Sequence, residues 1–319
     1  MNEPVAMAVT AIIPTRGRPT LLRQAIESVI AQVAVDVRVL VVIDGPPDPE
    51  SEAVVADFPA DRVEALPMSE NVGPAACRTA GALQAATPYV AFLDDDDRWL
   101  PAKLQAQLEA LPCGAETTSI ISCRSFVETP TGRYIWPRRL PLPGQRTGDW
   151  LFCRRSLFKG DSFIQASSIL CHRSLMERVP QQDAVHEDWD WLVRATEAEG
   201  AQLIVVPEPL VVHLAEFPRE SLSNRHDLRR SLHWALSIRQ IISPEAFAGL
   251  LLQTFNGTVT RHRAWRNGML LLQIAWRHGR PRPLDLGLFA LQWAFPVAAR
   301  RRLRSLVFGA RRHRRQPQT

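Results

Sequence analysis

The run Tyr89-Val90-Ala91-Phe92-Leu93 leads without a break into Asp94-Asp95-Asp96-Asp97, and then into Arg98-Trp99-Leu100-Pro101. No other stretch restricts the possible folds as much. The first five residues are short, uncharged and bulky, which predicts a buried strand. Pro101 suits the first turn of a following helix, where its missing N–H leaves no bond unmade. The carboxylates then fall at the carboxyl end of a strand, where open α/β sheets place their ligands. Four adjacent acids repel one another and cannot all be buried without a counter-ion. A divalent cation shared with substrate phosphates would resolve the repulsion. The alternative is a solvated acidic turn that caps the next helix through its dipole. The apolar run leading into the acids favours a metal–nucleotide site.

The chain before this run alternates. Val9 to Ile13 predicts a first strand, broken at Pro14-Thr15-Arg16-Gly17-Arg18-Pro19. Thr20 is the expected N-cap of a helix with Leu21, Leu22, Ala25, Ile26, Val29 and Ile30 on its apolar face. Val37 to Ile43 is Val-rich and nearly continuous, as parallel strands are, and it ends at Asp44-Gly45-Pro46-Pro47. A helix is expected around Glu50 to Phe58, a short strand near Arg62 to Leu66, and a helix through Ala75 to Ala86, opened by Asn71-Val72-Gly73-Pro74. This alternation implies a doubly wound α/β fold with a mainly parallel, Rossmann-like sheet flanked by helices. Such a sheet brings Asp44 and the four acids to one edge. Asp44 alone also reads as an ordinary Asp-Gly turn. Arg78 can reach that edge or lie on a solvated surface, and Arg16 and Arg18 are open in the same way.

After a helix at Ala102 to Leu111, strands are expected at Ser119 to Val127 and Phe163 to Cys171. The Pro- and Arg-rich stretch between them, Thr129 to Arg155, is assigned to substrate recognition. His186-Glu187-Asp188-Trp189-Asp190-Trp191-Leu192 opens a helix that runs to about Glu199. Acids in a first turn suit the helix dipole. Tryptophans beside carboxylates also raise their pKa by desolvation and can stack on a sugar ring, which are the surroundings of a general base. His213 follows the strand-like Leu210-Val211-Val212, a position where histidine is more often structural than a ligand.

Length allows one large domain or two modest ones among the 319 residues. Five scattered cysteines without a C-x-x-C pair predict reduced thiols, with neither a zinc ribbon nor a disulfide framework. Met1 to Ala8 carries Glu3 and Pro4 and lacks the pattern of a secretory leader, so a cytoplasmic chain is expected. Charge is uneven. Residues 261–319 hold 14 arginines, no lysine and one acid, Asp285, so they carry +13 of a chain total of +5 and residues 1–260 carry −8. That acidic part argues against nucleic-acid binding, and the basic tail needs its own explanation.

Five pieces in order resemble a family 2 glycosyltransferase of the GT-A fold, over roughly residues 8–215. They are Ile12-Ile13-Pro14-Thr15-Arg16-Gly17-Arg18, Val41-Val42-Ile43-Asp44-Gly45, Asn71-Val72-Gly73-Pro74-Ala75-Ala76-Cys77-Arg78, Phe92-Leu93-Asp94-Asp95-Asp96-Asp97 with Pro101, and Glu187-Asp188-Trp189-Asp190. The resemblance implies an inverting transferase of the hexosyltransferase type that uses a nucleotide-diphospho-sugar and Mg²⁺ or Mn²⁺. By position, Thr15, Arg16 and Asp44 would lie at the nucleotide. Asp94-Asp95-Asp96 would be the D-x-D motif, with Asp95 on the ribose and Asp96 on the metal. Arg78 would sit near the nucleotide or diphosphate. Asp188 would be the base that deprotonates the acceptor hydroxyl, with Glu187, Trp189 and Trp191 orienting the acceptor. His213 would reach the metal or diphosphate. Two positions depart from the pattern. Ile43 stands where a first acid is common, and Thr79 follows Arg78 where the family often has asparagine.

A catalytic domain over 1–220 is expected, with a nucleotide-sugar half at about 1–112 and an acceptor half at about 113–220. A helical, Arg-rich extension follows at 221–319. In the extension, Met269 to Trp276 lies between Arg266 and Arg277, and the uncharged run ending at Ala299 meets Arg300-Arg301-Arg302. Neither apolar run reaches the ~20 residues a spanning helix needs. An interfacial helix on an anionic inner leaflet is favoured over a soluble bundle, and 311–315 is expected to be disordered. The expected activity is transfer to a glycan or lipid-linked acceptor in cell-surface polysaccharide synthesis, at the cytoplasmic membrane face. The rivals are a metal-dependent nucleotidyltransferase and a non-catalytic membrane-bound scaffold of the same fold.

Overall fold

The computed structural model of the protein describes residues 7–129, 132–156, 160–214, 228–261 and 263–295. The chain forms two compact units. One comprises 1–150 and 158–226, the other 151–157 and 227–319.

The first unit begins with β1 (Val9–Thr15), α1 (Pro19–Ile30), β2 (Val37–Ile43), α2 (Pro49–Ala56), β3 (Val63–Pro67), α3 (Pro74–Gln84) and β4 (Tyr89–Phe92). Strands β3, β2, β1 and β4 lie side by side and parallel. Every residue of β1 is buried, Thr10 and Thr15 included, as expected of a strand covered on both faces. Leu22, Ala25, Ile26 and Val29 of α1 are buried at helical spacing. Helix α3 approaches β1 so closely that a Cβ on Gly81 would sit 2.6 Å from Ile12 Cγ2. Two local expectations change. The ladder of β1 with β2 continues through Pro14 to Thr15. The N-cap of α1 is Arg18, with Pro19 in the first turn, because proline's fixed φ already suits a helix start.

Parallel order then ends. The chain continues with β5 (Arg98–Trp99), α4 (Lys103–Glu109), β6 (Ser119–Thr129), β7 (Gly132–Trp136), α5 (Thr147–Phe152), β8 (Leu170–His172), α6 (Arg173–Arg178), α7 (Glu187–Val193) and β9 (Gln202–Leu214). The sheet order is β3-β2-β1-β4-β8-β6-β9-β5, with β7 added on β6. Strand β8 is antiparallel to β4 and β6, β9 is parallel to β6, and β5 is antiparallel to β9. The β6–β9 register slips at Arg124, opposite Pro207 and Pro209, which have no N–H for the ladder. The strand expected from Phe163 is shorter. A single 3-10 turn, Ala166–Ser168, precedes the three residues of β8. Its serines bond locally and across to other segments, which draws the backbone out of the ladder.

The second unit contains α8 (Leu228–Ile238), α9 (Pro244–Gly249), α10 (Asn256–Arg261), α11 (Trp265–His278) and α12 (Pro283–Ala294), with π-helical turns at Leu250–Phe255. Trp234, Phe247, Leu250, Leu251, Phe255 and Leu271 fill its core. No helix of the described residues is long and apolar enough to cross a membrane. The expectations for Arg300 to Arg304 and for 311–315 lie outside the described residues.

Candidate active site

The acidic turn joins β4 to β5. Strand β5 pairs antiparallel with β9 in the register Arg98↔Val212. The residue before Arg98 therefore faces the residue after Val212, and His213 Nδ1 lies 2.9 Å from Asp97 Oδ1. The Ser167 hydroxyl donates to Asp97 Oδ2 at 2.6 Å and accepts from the Asp94 N–H at 3.0 Å. Asp97 is thus a buried strut that fixes the turn and orients His213. Asp95 is also buried. It accepts from Thr15 Oγ1 at 2.7 Å and pairs with Arg18 Nη2 at 2.7 Å. Arg18 Nη1 lies 3.5 Å from Asp96, which is partly exposed.

This turn holds more negative charge than its own cations offset. Burial pushes Asp95 up to about 7 against Arg18 and Thr15. Burial, then Asp97 and Asp94, raise Asp96. Burial pulls His213 down, but Asp97 outweighs it and the imidazole is raised overall. Carboxylates strained in this way favour an added cation. The Asp96 carboxylate and the His213 ring beyond its bond to Asp97 are the donors such an ion would meet. Among the described residues no group of three or more His, Cys, Asp or Glu side chains could hold a metal ion, so Asp96 would hold Mg²⁺ only together with oxygens from phosphate and water, as that ion characteristically binds.

A second arrangement centres on Arg78 of α3. It is 2% exposed and ion-paired with Asp94 at the end of β4. Its Nη1 lies 3.0 Å from Glu187, 3.6 Å from Asp188 and 3.4 Å from the side-chain oxygen Oε1 of Gln181. One guanidinium therefore joins the acidic turn to the first turn of α7. Burial pulls Arg78 down, but Asp94, Asp188 and Glu187 outweigh it and its net shift is up. Burial raises both Glu187 and Asp188 against Arg78, and Glu187 and Asp94 raise Asp188 further. The Ala166 N–H donates to Asp188 Oδ2 at 3.2 Å. Around this point Asp188 Oδ1, Arg78 Nε, Gln181 Nε2 and both amide atoms of Gln165 are buried without a hydrogen-bond partner among the described residues. Orphaned buried polar atoms are rare in native proteins, and such atoms are met by water, an ion or a ligand.

The other residues singled out in the sequence divide. The Asp44 carboxylate accepts from Asn71 Nδ2 at 2.7 Å and from the Val72 N–H at 2.7 Å, with Gly73 N–H close by. It holds the loop that opens α3. Arg16 is exposed and makes no hydrogen bond or ion pair among the described residues, whereas its neighbour Arg18 reaches the acids. Arg78 is interior, which overturns the reading of a solvated arginine. Trp191 is corrected too. It is fully buried, donates Nε1–H to the Val179 carbonyl at 2.7 Å and packs edge-on against Phe92. It belongs to the core and cannot face an acceptor. Trp189 stacks on His186 at 5.2 Å and is partly exposed. Ser167, Gln165 and Gln181 belong to no motif, and their places at the site follow only from the fold.

The comparisons bear on the family and the fold. The profile described as Glycosyl transferase family 2 matches residues 10–179. The chain is 36% identical over 101 residues to the succinoglycan biosynthesis protein ExoO of Rhizobium meliloti, covering 32% of this chain and 29% of that one. It is 31% identical over 216 residues to the pre-mycofactocin glycosyltransferase of Mycobacterium tuberculosis, covering 64% of this chain and 42% of that one. The matches thus span less than half the length of these curated relatives. Among solved structures, residues 1–349 of Staphylococcus aureus TarS with UDP-GlcNAc superpose with a TM-score of 0.57 at 13% identity, covering 90% of this chain and 91% of that one. The mannosyltransferase PcManGT of Pyrobaculum calidifontis, with GDP-Man and Mn²⁺, gives 0.55 at 18%, covering 90% and 79%. A mainly parallel sheet with an acidic strand end, a matching profile over more than half the chain and a shared GT-A architecture lead to one conclusion: the chain belongs to glycosyl transferase family 2.

Proposed function

We propose that this glycosyltransferase moves a hexose from a nucleotide-diphospho-sugar to a hydroxyl of a glycan or lipid-linked acceptor, with inversion. The observation that carries the reading is Arg78, buried between Asp94 and the Glu187–Asp188 pair. It holds the acidic strand end and a high-pKa carboxylate in one place. Asp188 would take the proton of the acceptor hydroxyl. The freed oxygen would then form the bond to the anomeric carbon as the bond to the diphosphate breaks on the opposite face. A base with a raised pKa can do this near neutrality. Thr15 and Arg18 hold Asp95 in place for the nucleotide, and Asp97 orients His213. A Mg²⁺ or Mn²⁺ ion held by Asp96, with His213 beside it, would supply charge stabilisation for the leaving diphosphate. The relative named for succinoglycan biosynthesis supports a role in cell-surface polysaccharide synthesis. The arginine-rich C-terminal segment supports a peripheral position on an anionic membrane.

Calorimetric titration with UDP, GDP and dTDP, with and without Mn²⁺, tests the donor site. Metal-dependent binding of one nucleotide, lost in Asp96→Ala, is the expected result. Absence of binding by all three would overturn the donor site. Release of pyrophosphate from a nucleoside triphosphate would point to nucleotidyl transfer instead.

A further inference from the structure

Helix α11 has two apolar faces. Gly268, Leu271 and Ala275 are buried. On another face Trp265, Met269 and Trp276 are exposed, with Leu272 half-buried between them. These four stand at i, i+4, i+7 and i+11, which is one stripe along a helix. Trp276 is 66% exposed and Trp265 56%. A helix that packed only inward would carry polar residues on its outward face, as α1 does with Thr20, Gln24 and Glu27.

The neighbouring helix repeats the pattern. Gly287, Ala290, Leu291 and Ala294 of α12 are exposed and uncharged. Its one charged residue, Asp285, is fully buried against Arg282 and Gln253. The two helices are in direct contact. A Cβ on Gly268 would meet the Trp293 ring at 2.3 Å, and Trp265 stacks edge-on against Trp293 at 4.8 Å. The apolar faces are flanked mainly by positive charge. Arg263, Arg266, Arg277 and Arg280 are exposed, and residues 261–319 contain no acid other than the buried Asp285. The acid beside these arginines is Glu245, 3.8 Å from Arg280.

We infer that the Trp265–Met269–Leu272–Trp276 stripe of α11, with the uncharged face of α12, docks on an anionic lipid surface. The inference rests on the membrane reading above and names the face that carries it. Tryptophan favours the headgroup level, where its ring is desolvated and its N–H stays hydrated. Arginines around an apolar face supply attraction to acidic headgroups without a spanning segment. A second copy of the chain fits less well, because a self-complementary contact would set arginine against arginine.

The test is sedimentation of the full chain with vesicles of phosphatidylcholine alone and of phosphatidylcholine with phosphatidylglycerol. The expected result is binding to the anionic vesicles, weakened by salt. In Met269→Ser/Trp276→Ser that binding falls about tenfold or more, equivalent to ~1.4 kcal/mol, with helical content and nucleotide binding unchanged. Leu236→Ser, an exposed apolar residue on α8, serves as the control and leaves binding intact. Failure of the parent chain to bind anionic vesicles would sink the membrane reading itself. Undiminished binding by the double variant would overturn only this face and assign attraction to the arginines. Self-association by light scattering, lost in the double variant and without vesicle binding, would assign the face to a second copy.

Discussion

The sheet edge and the α11–α12 faces depart from ordinary burial in opposite directions. At the edge, Arg78, Asp95 and Asp97 are buried charges. On α11 and α12, tryptophan, methionine and leucine are exposed. Water would favour the reverse in both places. Buried charge is tolerated where it is paired, and the edge pairs most of it while leaving a surplus of carboxylate. Exposed apolar surface in a connected patch marks a contact with something outside the chain. The first departure suits the proposed metal and nucleotide, and the second suits the proposed anionic lipid surface.

Four experiments would break or sharpen this contrast. The largest effect belongs to Asp188→Asn, which should lower the transfer rate by roughly 10²–10⁴-fold while donor affinity holds. It should not destabilise the fold, because it removes a carboxylate that burial already disfavours. Turnover at the parent rate would remove Asp188 as the base.

Next is Arg78→Met. It strands Asp94, Glu187 and Asp188 without their shared cation and should cost about 3–5 kcal/mol in urea unfolding. The loss should shrink as pH falls and those acids take up protons. A cost that does not vary with pH would mean that packing, not charge, holds the edge together.

The third compares two tryptophans in one helix. Trp191→Ala should cost about 3–5 kcal/mol, and Trp189→Ala under about 1 kcal/mol. Equal losses would refute the placement of Trp191 alone in the core.

The smallest effect is a linkage between protons and metal. The folded pKa of Asp95 is raised from 3.8 to about 7, so the folded chain holds a proton that the unfolded chain has released. Stability from this group is therefore lost as pH rises between those values. Mn²⁺ competes with protons for the same turn, so it should raise Tm more at about pH 8 than at about pH 5. Asp96→Ala should abolish the difference.

Much of the fold was legible because its signals are local. The strand at Tyr89, the helix face Leu22-Ala25-Ile26-Val29 and the Val-rich β2 each announce themselves within a few residues. The acids at the strand end were legible for the same reason. Arg78 was visible as a residue, but its surroundings were not. Its partner Glu187 is 109 positions away, and a pattern within one helix cannot specify a neighbour from another. Ser167 had no signal at all, since serine in a turn is commonplace.

The sequence by itself determined that strands and helices alternate, that carboxylates end two parallel strands, and that the C-terminal segment is cationic. Periodicity and composition settle such matters because each residue is judged against its immediate neighbours. Only the tertiary structure decided that Asp97 supports His213 across 116 positions, through the two-residue strand β5, which is too short to carry a period. It also decided which of two tryptophans, two positions apart, turns inward. Residues two apart on a helix point to different sides, and which side is buried depends on what packs there.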